Sequence, residues 1–567
     1  MRLLVFILLP LAFLGAAHSQ SPAPPAPPGL EHGNVRIILV GDSITGQSRN
    51  HPAGFAHQID WALKRVYPGC HPEVVALGGS GAGVQAWLNF EARSRTVPVF
   101  LDVKGIDVKT TLEQPADVLI VMLGINDVLA PYVTDDPASL EQWTAHYREL
   151  LSILKERLKP GVIACATATL CTEDEASPKN RMMAALNNRL AEVARERGAI
   201  VLPTHETMRE VLQRGRRLQP DFHVTGDYVH PNEAGHLAIA MAMLRGLGEA
   251  AAARALEEEK LAPFLQRVAG PPPTLSYEVR PLVAAPESDR QSFRVHYWLS
   301  TGNGTGRPPV PVTLAGAGWE IAPAAPETGA GGSSHPGSSA RSAPGSWEGA
   351  EGEFTATGVP DRLENHLELR AAFNGHPVTR DIRIPAPWLT ATGVIRPSWS
   401  VPPKPGHFHG PREEAIELGR DFLADPKPPL VWKRYFADVN FTGSDAPGSV
   451  DFAALAHARN FEGGYAVRWI HSDRDRSVTL QASTQTFAAT LHLTLWLNGL
   501  SLYDGILTAE PGKKTSFPAQ LRTGWNALVL NLDHTAWQWQ CAVQVEPVGD
   551  DSLEDLRYSV TRDHHRD

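Results

Sequence analysis

Between residues 35 and 202 the chain repeats one pattern: an apolar run of strand length, then a longer stretch with helical spacing. The runs 35–40, 74–77, 118–123, 161–164 and 199–202 carry little or no polar alternation. Residues 140–159 and 179–197 place helix formers at helical spacing between them. A strand without a polar face needs cover on both sides, so the pattern predicts a three-layer α/β domain around a parallel sheet. A last helix over 233–247 and an Ala/Glu-rich stretch over 249–268 complete it, and Gly270-Pro271-Pro272-Pro273 ends it.

Beyond that joint the period changes from helical to two. Residues 293–299 alternate, and 363–373 and 378–384 flank Asn374-Gly375, a dipeptide suited to a tight hairpin turn. Residues 271–396 are therefore expected to form a β-sandwich, interrupted at 323–352 by a Gly/Ser/Pro/Ala-rich insertion that cannot build a core. A Pro-rich joint and a short helical stretch span 397–425. Alternating or apolar runs at 465–470, 478–480, 493–497 and 527–532, with the turn Asn498-Gly499, predict a second, jelly-roll-like β-sandwich over 426–550. Residues 551–567 read as a charged C-terminal tail.

Length agrees with this division, because 567 residues exceed what one core can organise and suggest roughly two to four domains. Met1-Arg2 followed by the apolar run 3–14 and Ala17-His18-Ser19 reads as a secretory signal over 1–19, too short for a comfortable membrane span. A Pro-rich leader follows over 20–33. The expected location is secreted, extracellular or periplasmic, with no membrane insertion. A net charge of −10 with interspersed signs gives no footprint for nucleic acid. Four cysteines are too few for a disulfide-built scaffold, although Cys165 and Cys171 lie close enough in sequence to pair, while Cys70 and Cys541 look unpartnered. Asn303-Gly304-Thr305 and Asn440-Phe441-Thr442 are acceptor sequons only in a host that glycosylates.

Four short segments of the first domain carry chemistry. Gly41-Asp42-Ser43-Ile44 puts a hydroxyl where the first strand ends, the edge at which open α/β sheets bind ligands. Leu77-Gly78-Gly79-Ser80-Gly81-Ala82-Gly83 is a loop whose backbone N–H groups can turn inward to meet an oxyanion. It has no Lys and no Gly-x-Gly-x-x-Gly pattern, which argues against a nucleotide site. Gly124-Ile125-Asn126-Asp127 adds a neutral amide donor after the strand 118–123. Asp227-Tyr228-Val229-His230-Pro231 supplies a carboxylate able to accept from Nδ1 of an imidazole whose Nε2 then faces the serine. His223, His230 and His236 taken as a metal set lack an acidic cluster, so neither a metal nor another cofactor is expected.

In order and spacing these segments resemble the GDSL, or SGNH, hydrolase family over roughly residues 35–247. The resemblance implies a flavodoxin-like three-layer fold and an esterase in which Ser43 is the nucleophile, His230 the base and Asp227 its orienting partner. It also implies an oxyanion hole made by Gly78, Asn126 and the Ser43 N–H. Ala76 stands where the family's glycine block usually has Asn, which leaves Gly78 and Gly79 as alternative donors. The C-terminal region more loosely resembles jelly-roll accessory domains of polysaccharide-degrading enzymes, on Tyr465-Ala466-Val467-Arg468, Leu495-Trp496-Leu497-Asn498-Gly499 and Gly524-Trp525-Asn526. There Trp432, Trp469, Trp496, Trp525, Trp537 and Trp539 are candidates either for the core or for stacking on sugar.

The expectation is thus a secreted, cofactor-independent serine esterase that removes small acyl groups, acetyl foremost, from a polysaccharide or small ester. A lipid esterase or lysophospholipase would use the same triad. A carbohydrate-binding protein with a relic hydrolase domain is the non-catalytic alternative.

Overall fold

The computed structural model describes residues 33–101, 105–129, 133–134, 136–175, 177–269, 273–284, 288–300, 311–323, 349–373, 376–395, 432–437, 448–455, 462–484, 491–507, 513–534 and 539–561. The expected signal segment, most of the expected leader, the core of the 323–352 insertion, the expected turn at Asn374-Gly375, the expected joint and helix at 397–425, both sequons and Trp537 lie outside them.

The N-terminal domain runs β1 (Gly33–Asp42), α1 (Ser43–Asn50), α2 (Phe55–Val66), β2 (Cys70–Gly79), α3 (Val84–Ser94), α4 (Val108–Leu112) and β3 (Val118–Met122). It continues through α5 (Ile125–Leu129), α6 (Pro137–Leu158), β4 (Val162–Ala166), α7 (Pro178–Glu196), β5 (Ile200–Leu202), α8 (Thr204–Arg216) and α9 (Glu233–Gly246). The strands pair in parallel in the order β2-β1-β3-β4-β5. All of β3 is buried, as its unbroken Val-Leu-Ile-Val-Met run requires.

Strand order fixes where a site can form. The chain steps from β1 outward to β2, then returns past β1 to β3 and moves away to β4 and β5. Right-handed crossovers on either side of that reversal place their helices on opposite faces of the sheet. Accordingly α2 packs with α9 and α9 with α8, while α6 packs with α3 and α7. The reversal opens a crevice at the carboxyl ends of β1 and β3, where this class of sheet holds its ligands. Ser43 leaves β1 there, and Asn126 follows β3. Gly78 belongs to the same edge, in register with Gly41. A Cβ on Gly78 would overlap Gly46 N and crowd the Asp42 carbonyl, so glycine lets α1 seat directly on β2.

The rest of the described chain is mainly antiparallel. Strands Thr274–Pro281, Gln291–Ser300, Gly349–Gly358 and Glu320–Pro323 form one sheet in that order, and His376–Pro385, Glu364–Phe373 and Val312–Ala315 another. Leu275 and Val295 from the first share an apolar cluster with Leu369 and Ile382 from the second. Further on, a seven-stranded sheet centred on Glu462–Ser472 and Gly524–His534 shares a core with a four-stranded sheet, through Leu493 and Leu530 on one side and Leu480 and Val543 on the other. Asn498 and Gly499, at φ 50° and 76°, make the tight turn between Leu491–Leu497 and Leu500–Leu507.

Several placements differ from the expectation. Trp388–Ile395, counted with the segment 271–396, pairs instead with Lys433–Tyr435 and Glu462–Ser472 in the later sheet. Part of the supposed tail does the same, since Arg557–Ser559 pairs with Glu462–Ser472 and Tyr558 is buried. One side chain touches both segments. The buried Arg468 guanidinium lies 4.0 Å from the Trp388 ring and 5.0 Å from the Tyr558 ring, a cation between two aromatic faces. Cys165 and Cys171 do not pair: all four thiols are free and buried, and burial pushes both of theirs up to about 12. Trp432, Trp469, Trp496 and Trp539 are buried and Trp525 is half-buried, so these rings serve the core.

Candidate active site

Ser43 is the first residue of α1, where a helix leaves its opening N–H groups without intrahelical acceptors. Asp42 is the N-cap, and its Oδ1 accepts the Ile44 N–H at 2.9 Å. That bond satisfies one orphan donor, and the Ser43 N–H is another of the helix's opening groups. The turn is tied down from the other side by Trp87, whose indole N–H donates to the Gly41 carbonyl at 2.7 Å.

The distant Asp-x-x-His segment meets this serine. Ser43 Oγ lies 2.9 Å from His230 Nε2, across 187 positions of sequence. On the other side of the ring, His230 Nδ1 donates to Asp227 Oδ2 at 2.7 Å. Asp227 Oδ1 accepts the backbone N–H groups of His230 at 2.7 Å and Val229 at 3.1 Å, so the carboxylate is oriented by its own loop. The loop closes on itself before α9. Gly226 N–H donates to the His230 carbonyl at 2.8 Å, and Asn232 caps α9 while its amide donates to the His223 carbonyl.

Electrostatics matches the geometry. The Asp227 hydrogen bond raises the His230 pKa, outweighing burial, and the nearby Asp42 adds to the rise. Burial pushes the Asp227 carboxyl up, but its bonds to His230 more than offset this and hold it below the usual carboxylate range. For Asp42 burial wins: it pushes the carboxyl up to about 7 against the Ile44 N–H and the nearby His230, which lower it.

The expected oxyanion donors come together in part. Asn126 is the second residue of α5, just past the end of β3, and its Nδ2 donates to the Ala82 carbonyl at 3.2 Å, which ties the asparagine to the glycine loop. Gly78 is a strand residue wedged against α1, and Gly79 packs beside Phe90 and Leu101. Gly81 is the loop glycine with φ of +71°, exposed between the β2 end and Ala82. The asparagine therefore sits beside Ala82, at the far end of the loop that begins with Gly78 and Gly79.

The other histidines take separate partners. His223 Nδ1 donates to Glu173 Oε2 at 2.8 Å. His236 is buried against His51, ring centroids 4.9 Å apart, and burial pushes its pKa down to about 3. Among the described residues no three His, Cys, Asp or Glu side chains gather as a metal site. Sequence reasoning missed Trp87 and Glu173, because neither stands in a motif; Glu173 reads in the sequence as part of an acidic surface run, Glu173-Asp174-Glu175.

Comparison with known proteins covers this part of the chain. Residues 39–238 match the model of the GDSL-like lipase/acylhydrolase family. An acetylxylan esterase of Geobacillus stearothermophilus is 27% identical over 227 residues, covering 38% of this chain and 94% of that protein. A crystal structure of an acetylxylan esterase from the same organism aligns at 25% identity over 38% of this chain and 96% of its own, with a TM-score of 0.30. An α/β hydrolase from the metagenome of Lake Arreo, Spain, aligns at 22% identity over 39% and 98%, with a TM-score of 0.31. The strand-to-helix serine, the glycine loop, the Gly-x-Asn-Asp turn and the Asp-x-x-His loop all fall inside the matched span, and residues 39–238 form a GDSL-like, or SGNH, hydrolase domain.

Proposed function

We propose that this chain is an exported serine esterase that removes acetyl groups from a carbohydrate. The observation that carries the reading is the hydrogen-bonded line from Asp227 through His230 to Ser43. Ser43 Oγ attacks the ester carbonyl carbon as its proton passes to His230 Nε2, and Asp227 stabilises the imidazolium. The tetrahedral oxyanion is met by the Ser43 N–H, by Asn126 Nδ2 through the proton not given to Ala82, and by a backbone N–H of the glycine loop, at Gly78 or Gly79. His230 returns the proton to the departing sugar hydroxyl, and the acyl-enzyme forms. Water, deprotonated by the same imidazole, then releases the acid.

The acetylated-carbohydrate substrate is supported by the acetylxylan esterase relative, and export by the apolar run 3–14. Acetate release from acetylated xylan, together with rates on aryl acetate, butyrate and octanoate, tests the substrate. The acetyl ester should be preferred over octanoate by about 10-fold or more, because a pocket shaped for a methyl group has no room for a chain. One observation favours a longer-chain esterase instead. Phe100 and Val97 are 63% and 47% exposed, and the adjacent Leu101 packs beside Gly79 of the glycine loop. A preference for octanoate with no acetate released from xylan would select that reading.

Asn126→Ala should lower kcat by about 100-fold or more while the fold persists, since one oxyanion donor is lost. Steady-state kinetics on aryl acetate with a thermal unfolding scan checks this. A kcat within threefold of wild type would remove Asn126 from the oxyanion hole.

A further inference from the structure

Glu173 is a buried carboxylate of this domain that touches no reacting atom. It lies between β4 and α7 with its side chain fully buried, and a charge in such a place is tolerated only when its oxygens are taken up by donors. They are. Oε1 accepts the Val224 N–H at 2.8 Å, the Thr225 N–H at 2.8 Å and the Thr225 hydroxyl at 2.7 Å. Oε2 accepts from His223 Nδ1 at 2.8 Å and from Arg216 of α8 at 3.4 Å. Burial pushes this carboxyl up, but His223, Arg216 and Thr225 outweigh it and keep it ionised.

These donors belong to the segment that runs into Asp227 and His230. The next residue toward β4 from Glu173 grips the same loop, since Thr172 N–H donates to the Tyr228 carbonyl at 2.8 Å. Thr172 and Tyr228 have φ of 85° and 70°, a conformation that side-chain-bearing residues hold only where their surroundings impose it. The loop between Thr225 and Pro231 makes bonds of its own and seats Val229 in the apolar core, and Glu173 adds a polar anchor at the loop's N-terminal approach.

We infer that Glu173 is a positioning residue for catalysis: its buried carboxylate clamps residues 223–225 and thereby holds Asp227 and His230 in line with Ser43. The inference rests on the esterase reading given above. Arg216 extends the clamp outward, because its carbonyl accepts the Ser276 hydroxyl of the strand Thr274–Pro281. The anchor of the loop is thus buttressed by the antiparallel half of the chain.

The two oxygens allow a decisive pair of variants in the full-length protein. Glu173→Ala removes every bond. Glu173→Gln keeps one carbonyl oxygen for Val224 and Thr225 but turns an NH₂ donor toward His223 and Arg216, giving up the charge and the acceptor on that side only. On aryl acetate, kcat of Glu173→Ala should fall by about 10- to 100-fold, as for a misplacement of about 1 Å, with KM changed less than about threefold. The acid limb of its kcat/KM profile should move to lower pH, because a slackened loop weakens the Asp227–His230 bond that raises the imidazole. Asp227 from the loop and Asp42 from the β1 end are the charged groups acting on that ring, and Asp42 stays in both variants. Glu173→Gln should retain most of kcat and the wild-type limb. A folded Glu173→Ala with wild-type kcat overturns the inference, as do equal losses in both variants with an unshifted limb. If Glu173→Ala does not fold, Thr225→Val decides: a several-fold loss of kcat with a lowered limb supports the clamp, and wild-type behaviour overturns it. Ser43→Ala in the same assay separates the two levels, because full activity there would sink the esterase reading itself.

Discussion

Ser43→Ala is expected to lower kcat/KM on an aryl acetate by on the order of 10⁴-fold or more, leaving only what the oxyanion donors and binding supply. The reason is chemical rather than structural. The hydroxyl lies 2.9 Å from His230 Nε2, and without it the imidazole can at best activate water at a site shaped for an alkoxide. The fold should not notice. Ser43 heads a helix whose cap is Asp42, and the Asp42–Ile44 bond is untouched by the substitution. Equal thermal midpoints for the variant and wild type, with activity gone, would therefore assign the loss to chemistry. A second, independent readout is covalent: a phosphonate ester probe should label wild type at Ser43 once per chain and leave the variant unlabelled. Comparable turnover by the two proteins would end the serine-esterase reading and return the relic-domain alternative.

How far this could be read in the sequence depended on whether the cause was local. Buried parallel strands announce themselves by unbroken apolar runs, so β1, β3 and β4 are legible from residues 33–166 alone. Asp227 and His230 are equally legible, because a carboxylate three residues before an imidazole on a tight loop has little else to bond. Ser43 needed the rest of its motif set, since Gly-Asp-Ser alone is ordinary turn chemistry. What escaped was set by contacts distant in sequence. Glu173 is followed by two more acids and looks solvated; only the fold brings Val224 and Thr225 onto it. Gly78 looks like the key glycine of its loop, but only the fold shows that the approach of Gly46 also requires a residue without Cβ there. Trp388–Ile395 alternates as any strand does, and nothing within it states that its partner begins at Glu462. Cys165 and Cys171 are near in sequence, but each is sealed in the core as a free thiol.

Replacing Asp227 by Asn tests the other end of the relay and carries a distinct signature. Asn at this position can keep its carbonyl oxygen toward the Val229 and His230 N–H groups, so the loop should hold and the thermal midpoint should change little. The amide NH₂ then faces His230 Nδ1, where the wild type has a carboxylate oxygen at 2.7 Å. A donor facing Nδ1 forces that nitrogen to accept, which moves the ring proton to Nε2 and points it at Ser43 Oγ. An imidazole in that tautomer cannot take the serine proton, and kcat should fall by about 10⁴-fold. The pH profile supplies the sign. Catalysis needs neutral His230, so kcat/KM falls as pH drops through its pKa, and in the wild type that pKa is raised chiefly by the Asp227 hydrogen bond. The wild-type acid limb should therefore lie above about 6.5, the ordinary imidazole value. In Asp227→Asn the raising partner is gone while burial still disfavours the cation, so the limb of the residual activity should move down. Asp42→Asn should move it in the same direction but less, because its charge is the smallest of the contributions acting on the ring. An Asp227→Asn limb at or above the wild-type position would mean that His230 is not the base being titrated, whatever the loss in kcat.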